Sequence, residues 1–187
     1  MPPQSYKHPG RRSIRLKEFD YTQNGVYFVT LCIQDRLELF GKVQGGDMIL
    51  NDSGKMVERI WLEIPDHCTD FHNEGIQIMP NHLHGILLIM DGEIGEPITA
   101  NGRIRGSAPT ARLSLADVMQ RFKILTTKLY TDGVKERSWR RFNTRLWQRN
   151  YWERIIRNDR ELREYKQYLA ENPLRWQYDV LNEQRIG

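Results

Sequence analysis

Ile78-Met79-Pro80-Asn81-His82-Leu83-His84-Gly85-Ile86-Leu87-Leu88-Ile89 reads as the end of one strand, a turn, and a second, strongly apolar strand. Pro80 and Asn81 suit the central turn positions, because proline presets φ and asparagine tolerates unusual backbone angles. Side chains alternate along a strand, so His82 and His84 project from one face while Leu83 points the other way, into the core. Two imidazoles side by side on a rigid strand can chelate a divalent metal. A bare His-x-His is more often one surface histidine and one satisfied buried one, so the surrounding chain decides between the readings.

Upstream, Val26 to Ile33 has the β-branched and aromatic content of a central strand, entered from the Asn24-Gly25 turn. Leu37 to Val43 and Asp47 to Leu50 flank Gly45-Gly46, a hairpin pattern. Asn51 or Ser53 can cap a first helix whose apolar face is Met56, Val57, Ile60, Trp61 and Ile64, with Pro65 at its end. A further strand spans about Gly75 to Met79. Downstream of the histidines, Ser114 to Asp117 forms a capping-box start for a second helix, with Leu115, Val118, Phe122, Leu125 and Leu129 on its buried face and Gly133 after its end. Arg145 to Gln148 fits a short strand, Tyr151 to Arg157 a short helical segment, and Asn158 to Ala170 a last helix stopped by Pro173. Strand, hairpin, helix, two strands, helix, short strand, helix: this order predicts an α+β protein, an antiparallel sheet with helices packed on one face, and a ferredoxin-like core fits it best.

The chain has 187 residues with a formal charge of +4. That length suits one domain with extensions: a basic arm over 1–17, a body over 18–173 interrupted by a Gly-, Pro-, Thr- and Ser-rich insertion at 91–113, and a tail over 174–187. No apolar run is long enough to cross a bilayer, and the first residues lack the apolar middle of a signal peptide. Cys32 and Cys68 make no metal or disulfide pattern, so a cytoplasmic location is expected. Basic blocks interleaved with Trp, Tyr and Phe suit a phosphate backbone with stacked bases, although charge alone equally describes a solvated surface.

Two segments carry a family resemblance. Met79-Pro80-Asn81-His82-Leu83-His84-Gly85 resembles the His-apolar-His signature of single-tyrosine HUH transposases, and Trp147 to Asn158 resembles their nucleophile helix. Arg11-Arg12-Ser13-Ile14-Arg15-Leu16, Tyr27-Phe28-Val29-Thr30 and Tyr168-Leu169-Ala170-Glu171-Asn172-Pro173 also look like the REP-associated branch of that group. The resemblance implies an HUH endonuclease fold and a metal-dependent transposase that nicks and rejoins single-stranded or hairpin DNA at palindromic repeats, as a monomer or homodimer. It implies Tyr151 as the nucleophile forming a 5′-phosphotyrosine, and Mg²⁺ or Mn²⁺ held by His82 and His84. The third ligand stays open, with Glu153 the nearest carboxylate. Arg11, Arg12, Arg15, Arg121, Lys123, Arg149, Arg154 and Arg157 are the expected DNA contacts. Two other readings are a palindrome-binding descendant that does not cut, and a ferredoxin-like RNA-binding module with exposed aromatics on its sheet, Tyr27 or Phe28 among them.

Overall fold

The computed structural model describes residues 24–90 and 113–183. The basic arm, with Arg11, Arg12 and Arg15, lies outside the described residues, as does nearly all of the 91–113 insertion.

Four strands form the main antiparallel sheet: β1 (Gly25–Cys32), β4 (Phe71–Ile78), β5 (His82–Ile89) and β6 (Trp152–Ile156), in the order β4-β5-β1-β6. A separate hairpin, β2 (Gly41–Gln44) and β3 (Asp47–Leu50), turns at Gly45-Gly46. Helix α1 (Asp52–Leu62) leads from that hairpin toward β4, and α3 (Leu115–Glu136) lies between β5 and β6 in sequence. With the hairpin set aside, this is the βαββαβ order of a ferredoxin-like core, its two central strands β5 and β1 flanked by β4 and β6.

The register explains how the faces divide. Opposite β5, Tyr27 meets Leu87, Val29 meets Gly85 and Leu31 meets Leu83. These residues, with Ile89, pack against Val57, Ile60 and Trp61 of α1 and Leu115, Val118, Met119, Phe122 and Tyr130 of α3. Gly85 is required there: a Cβ on it would run into the Trp61 indole, which lies against the sheet and donates from Nε1 to Oδ1 of Asn73 at 3.0 Å. On the other face, Phe28, Ile86 and Ile156 pack with Trp152 and with Leu162, Tyr165, Tyr168 and Leu169 of α4 (Asp159–Glu171). The two crossover helices thus share one face as expected, and the C-terminal helix covers the opposite one. Tyr27 and Phe28 are both buried, so neither offers a stacking platform for RNA.

The helix starts follow their capping chemistry. Asn51 caps α1 by accepting from the Gly54 N–H, Ser114 and Asp117 close a reciprocal box on α3, and Asn158 caps α4 through the Glu161 N–H. Other local expectations fail for identifiable reasons. Pro65 does not simply end a helix; it sits in the first turn of a short helix, α2 (Ile64–His67), where its missing N–H costs nothing. Gly133 lies inside α3, where its bare Cα lets the Trp139 ring approach. Leu125 is 39% exposed, while Thr126 takes the buried position by donating to the Phe122 carbonyl at 2.7 Å. Residues 152–156 form a strand rather than helix because the edge of β1 is available to them, Trp152 pairing with Thr30 and Ile156 with Val26. Trp147 makes only a single bridge, to Ile33. The tail does not stand apart: a 3₁₀ turn over Pro173–Tyr178 follows α4, and Leu181 and Asn182 are buried.

Candidate metal and nucleophile site

On the α4 side of the sheet, β5 alternation places both His82 and His84 inward. Their Nε2 atoms stand 3.1 Å apart, and the residues are 0% and 4% exposed. The outer nitrogen of each ring has its own partner. His82 Nδ1 lies 2.8 Å from Asn81 Oδ1, and His84 Nδ1 lies 2.7 Å from Thr30 Oγ1, its cross-strand neighbour. Burial holds the imidazoles neutral: His82 is driven well below the usual histidine value, with His84 and Arg36 adding to the effect, and His84 falls to about 3.

The hydroxyl of Tyr168 is 3.3 Å from His84 Nε2. It reaches this point from α4, whose apolar stripe against Phe28 and Ile86 aims the ring at the sheet. Burial pushes the Tyr168 phenol up to about 12 with help from Asp179, against a side-chain hydrogen bond from Asn172 and the charge of Arg175. Asp179 comes from beyond the 3₁₀ turn. One ligand atom each from His82, His84 and Asp179 fall within 4.8 Å of one another. Burial raises the Asp179 carboxyl, opposed by the Leu181 N–H and Arg36. Asn172 is 2% exposed, and its Oδ1 has no hydrogen-bond partner among the described residues.

This donor set, two imidazoles and a carboxylate, suits a divalent cation. Two neighbouring ligands of an octahedral ion at about 2.1 Å lie roughly 3.0 Å apart, close to the spacing of the two Nε2 atoms. A half-buried carboxylate adds charge, and the amide of Asn172, whose Oδ1 is unpartnered among the described residues, lies beside Tyr168. Two imidazoles shift preference from Mg²⁺ toward Mn²⁺.

Two expected site residues are elsewhere. Tyr151 precedes β6 and packs into the core on the opposite face of the sheet, its ring 5.4 Å from Lys123 Nζ of α3. Glu153 shares that side: it pairs with Val29, whose side chain faces α1 and α3, so it points away from the imidazoles. The strand period explains both misplacements, since Trp152 and Arg154 alternate with them and take the imidazole side. Arg154 stacks over the Tyr165 ring at 5.8 Å. Arg149 and Arg157 are exposed. Arg121 and Lys123 belong to α3 on the far face, and the Lys123 ammonium donates to the carbonyls of Gln148 and Arg149 at 3.0 and 3.2 Å, which makes it a structural tie. Sequence reasoning missed Tyr168, Asp179, Asn172 and Arg36. For Tyr168 a signal was present: it lies in the Tyr168 to Pro173 stretch that resembles the family, on a helix with a strong N-cap.

The 3₁₀ turn and the segment after it cover the imidazoles. Trp176 lies 5.9 Å from the His82 ring, Asn81 donates to the Leu181 carbonyl at 2.8 Å, and Arg36 donates to the Val180 carbonyl at 3.1 Å. Arg36 reaches it from a tight turn in which both Asp35 and Arg36 have positive φ.

No protein-family model matches the chain. A Haemophilus influenzae protein whose name records no function is 34% identical over 177 residues, covering 91% of this chain and 92% of its own. A second protein of that organism, provisionally named a REP-associated tyrosine transposase, is 25% identical over 159 residues, covering 85% and 76%. Among solved structures, a REP-associated tyrosine transposase bound to a REP hairpin matches with a TM-score of 0.49 at 16% identity, over 87% of this chain and 74% of that one. A Deinococcus radiodurans protein, provisionally named a transposase, matches with a TM-score of 0.45 at 14% identity, over 85% and 98%.

Proposed function

We propose a DNA strand-cleaving and rejoining function for this chain, which belongs to the REP-associated tyrosine transposase family. The substrate is single-stranded DNA beside a hairpin-forming palindrome, and Tyr168 is the nucleophile in place of Tyr151. The observation that carries the reading is the Tyr168 hydroxyl 3.3 Å from His84 in the paired-imidazole cluster. Tyr151, across the sheet, has no comparable access.

The Tyr168 oxygen attacks the scissile phosphorus, the bond to the 3′ oxygen breaks, and the DNA leaves as a 5′-phosphotyrosine and a free 3′-OH. The covalent link keeps the phosphodiester energy, so rejoining by a 3′-OH reverses the step and returns the proton to the phenol. His82, His84 and Asp179 would hold Mg²⁺ or Mn²⁺; when bound, such a cation would lower the phenol pKa and offset charge on the reacting phosphate. At pH 7 the neutral imidazoles each keep one ring lone pair and one N–H proton. Helix α4 fixes the approach of the phenol, and the guanidinium of Arg154 stands on the same face of the sheet.

A second reading is a palindrome-binding protein that does not cut, and the near-complete burial of both imidazoles favours it. Incubation with labelled single-stranded palindromes from the source genome and Mn²⁺, followed by a denaturing gel, separates the two. A protein–DNA adduct supports cleavage. Tight binding with no adduct under any divalent cation refutes it.

A further inference from the structure

We infer that Thr30 and Asn81 are positioning residues that set the tautomers of the imidazole pair, with Asn81 holding one ring fixed and Thr30 letting the other change when a cation enters. The inference rests on the cation reading above. The amide of Asn81 has a single sensible orientation: its Nδ2 faces two carbonyl oxygens, Leu181 at 2.8 Å and Arg36 at 3.3 Å, so its Oδ1 must be the atom facing His82. His82 therefore carries its proton on Nδ1 and keeps a lone pair on Nε2.

The consequence falls on His84. Two lone pairs 3.1 Å apart would repel, so in the metal-free protein His84 carries its proton on Nε2 and donates it toward His82. Its Nδ1 is then an acceptor, and the Thr30 hydroxyl donates to it across 2.7 Å. A cation needs both Nε2 lone pairs. His84 must then hold its proton on Nδ1, with none gained or lost overall, and the same Thr30 oxygen becomes the acceptor. A hydroxyl can make that exchange by rotating, because it is both donor and acceptor. A valine there could do neither, and a buried Nδ1–H would be left without a partner.

Thr30→Val suits the test, because valine is also β-branched and keeps the strand preference. Thr30→Ser restores the hydroxyl, and circular dichroism checks that each variant folds. Mn²⁺ binding to the full chain is followed by the paramagnetic resonance of free Mn²⁺, and imidazole tautomers by ¹⁵N shifts with and without Mg²⁺. We expect Thr30→Val to weaken Mn²⁺ binding about 10- to 100-fold, the range for removing an outer partner of a metal-bound histidine. Thr30→Ser should bind within a few-fold of wild type. The metal-free protein should show His82 protonated on Nδ1 and His84 on Nε2, and Mg²⁺ should move only the His84 proton. Wild-type Mn²⁺ binding with an unchanged Thr30→Val affinity overturns this inference alone, as does finding His84 already protonated on Nδ1 without metal. A wild-type protein that takes up no Mn²⁺ overturns the cation reading and this inference together.

Discussion

Replacing Tyr168 and Tyr151 one at a time by phenylalanine separates the two phenols on either side of the sheet. Tyr168→Phe removes one oxygen whose contact with His84 is long, at 3.3 Å, and leaves the ring against Phe28 and His84. The stability cost of such a change is about 1 kcal/mol, or about 2–4 °C in Tm for a chain of this size. The fold therefore survives, and any lost activity is chemical. Without the attacking oxygen there is no covalent product, so the adduct on a denaturing gel should fall below detection, at least 10³-fold by the usual effect of removing a nucleophile. Tyr151→Phe keeps the ring beside Lys123 and should form adduct within about twofold of wild type. The pH dependence gives an independent check. With its phenol pushed up to about 12, Tyr168 in the metal-free protein is ionised on the order of 10⁻⁵ at pH 7. Residual cleavage without added cation should therefore climb about tenfold per pH unit from 7 to 10. An adduct that persists in Tyr168→Phe and disappears in Tyr151→Phe would refute the assignment outright.

Three other outcomes follow from the same geometry. Both buried imidazoles have folded pKa values below the unfolded one, so the unfolded chain binds more protons beneath pH 6.5, and stability present above that pH is lost as pH falls toward the folded values. Chemical denaturation of the metal-free protein should show up to about 1.4 kcal/mol of lost stability per pH unit per histidine below pH 6.5, and His84→Gln should reduce that slope; an unchanged slope would place the acid sensitivity elsewhere. In Mn²⁺ titrations, Asp179→Asn should weaken binding about tenfold or more while Glu153→Gln leaves it unchanged, and the reverse pattern would restore Glu153 as a ligand. Gly85→Ala forces a methyl group into the Trp61 ring and should cost about 1–3 kcal/mol in urea unfolding; a neutral result would mean the indole can move aside.

The sheet was legible because its signals are local and redundant. The β-branched and aromatic run from Val26 to Ile33 and the strongly apolar run from His82 to Ile89 specify the two central strands, and the capping residues Asn51, Ser114 and Asn158 specify helix starts whatever the rest of the chain does. Residues 151–157 mislead because their strand character is not written in their own pattern. It comes from the open edge of β1, a partner more than a hundred residues earlier in the chain. That one difference leaves Tyr151 on the side of the sheet away from the imidazoles. On a helix, Tyr151 and Glu153 can be turned toward a metal; on a strand the period of two commits Glu153 to the far face, and Tyr151 packs there with it. Asp179 was invisible for a different reason. Its position depends on a chain reversal through the 3₁₀ turn and on Asn81 and Arg36 gripping the carbonyls of Leu181 and Val180, contacts between residues about a hundred or more apart in sequence. The histidine pair could be read from one strand alone, whereas the groups that complete it come from three separate segments: the turn at Arg36, α4 with its cap, and the chain just beyond the 3₁₀ turn. An assignment of the cluster from sequence therefore had to find the partners that the fold, and not the motif, brings to the imidazoles.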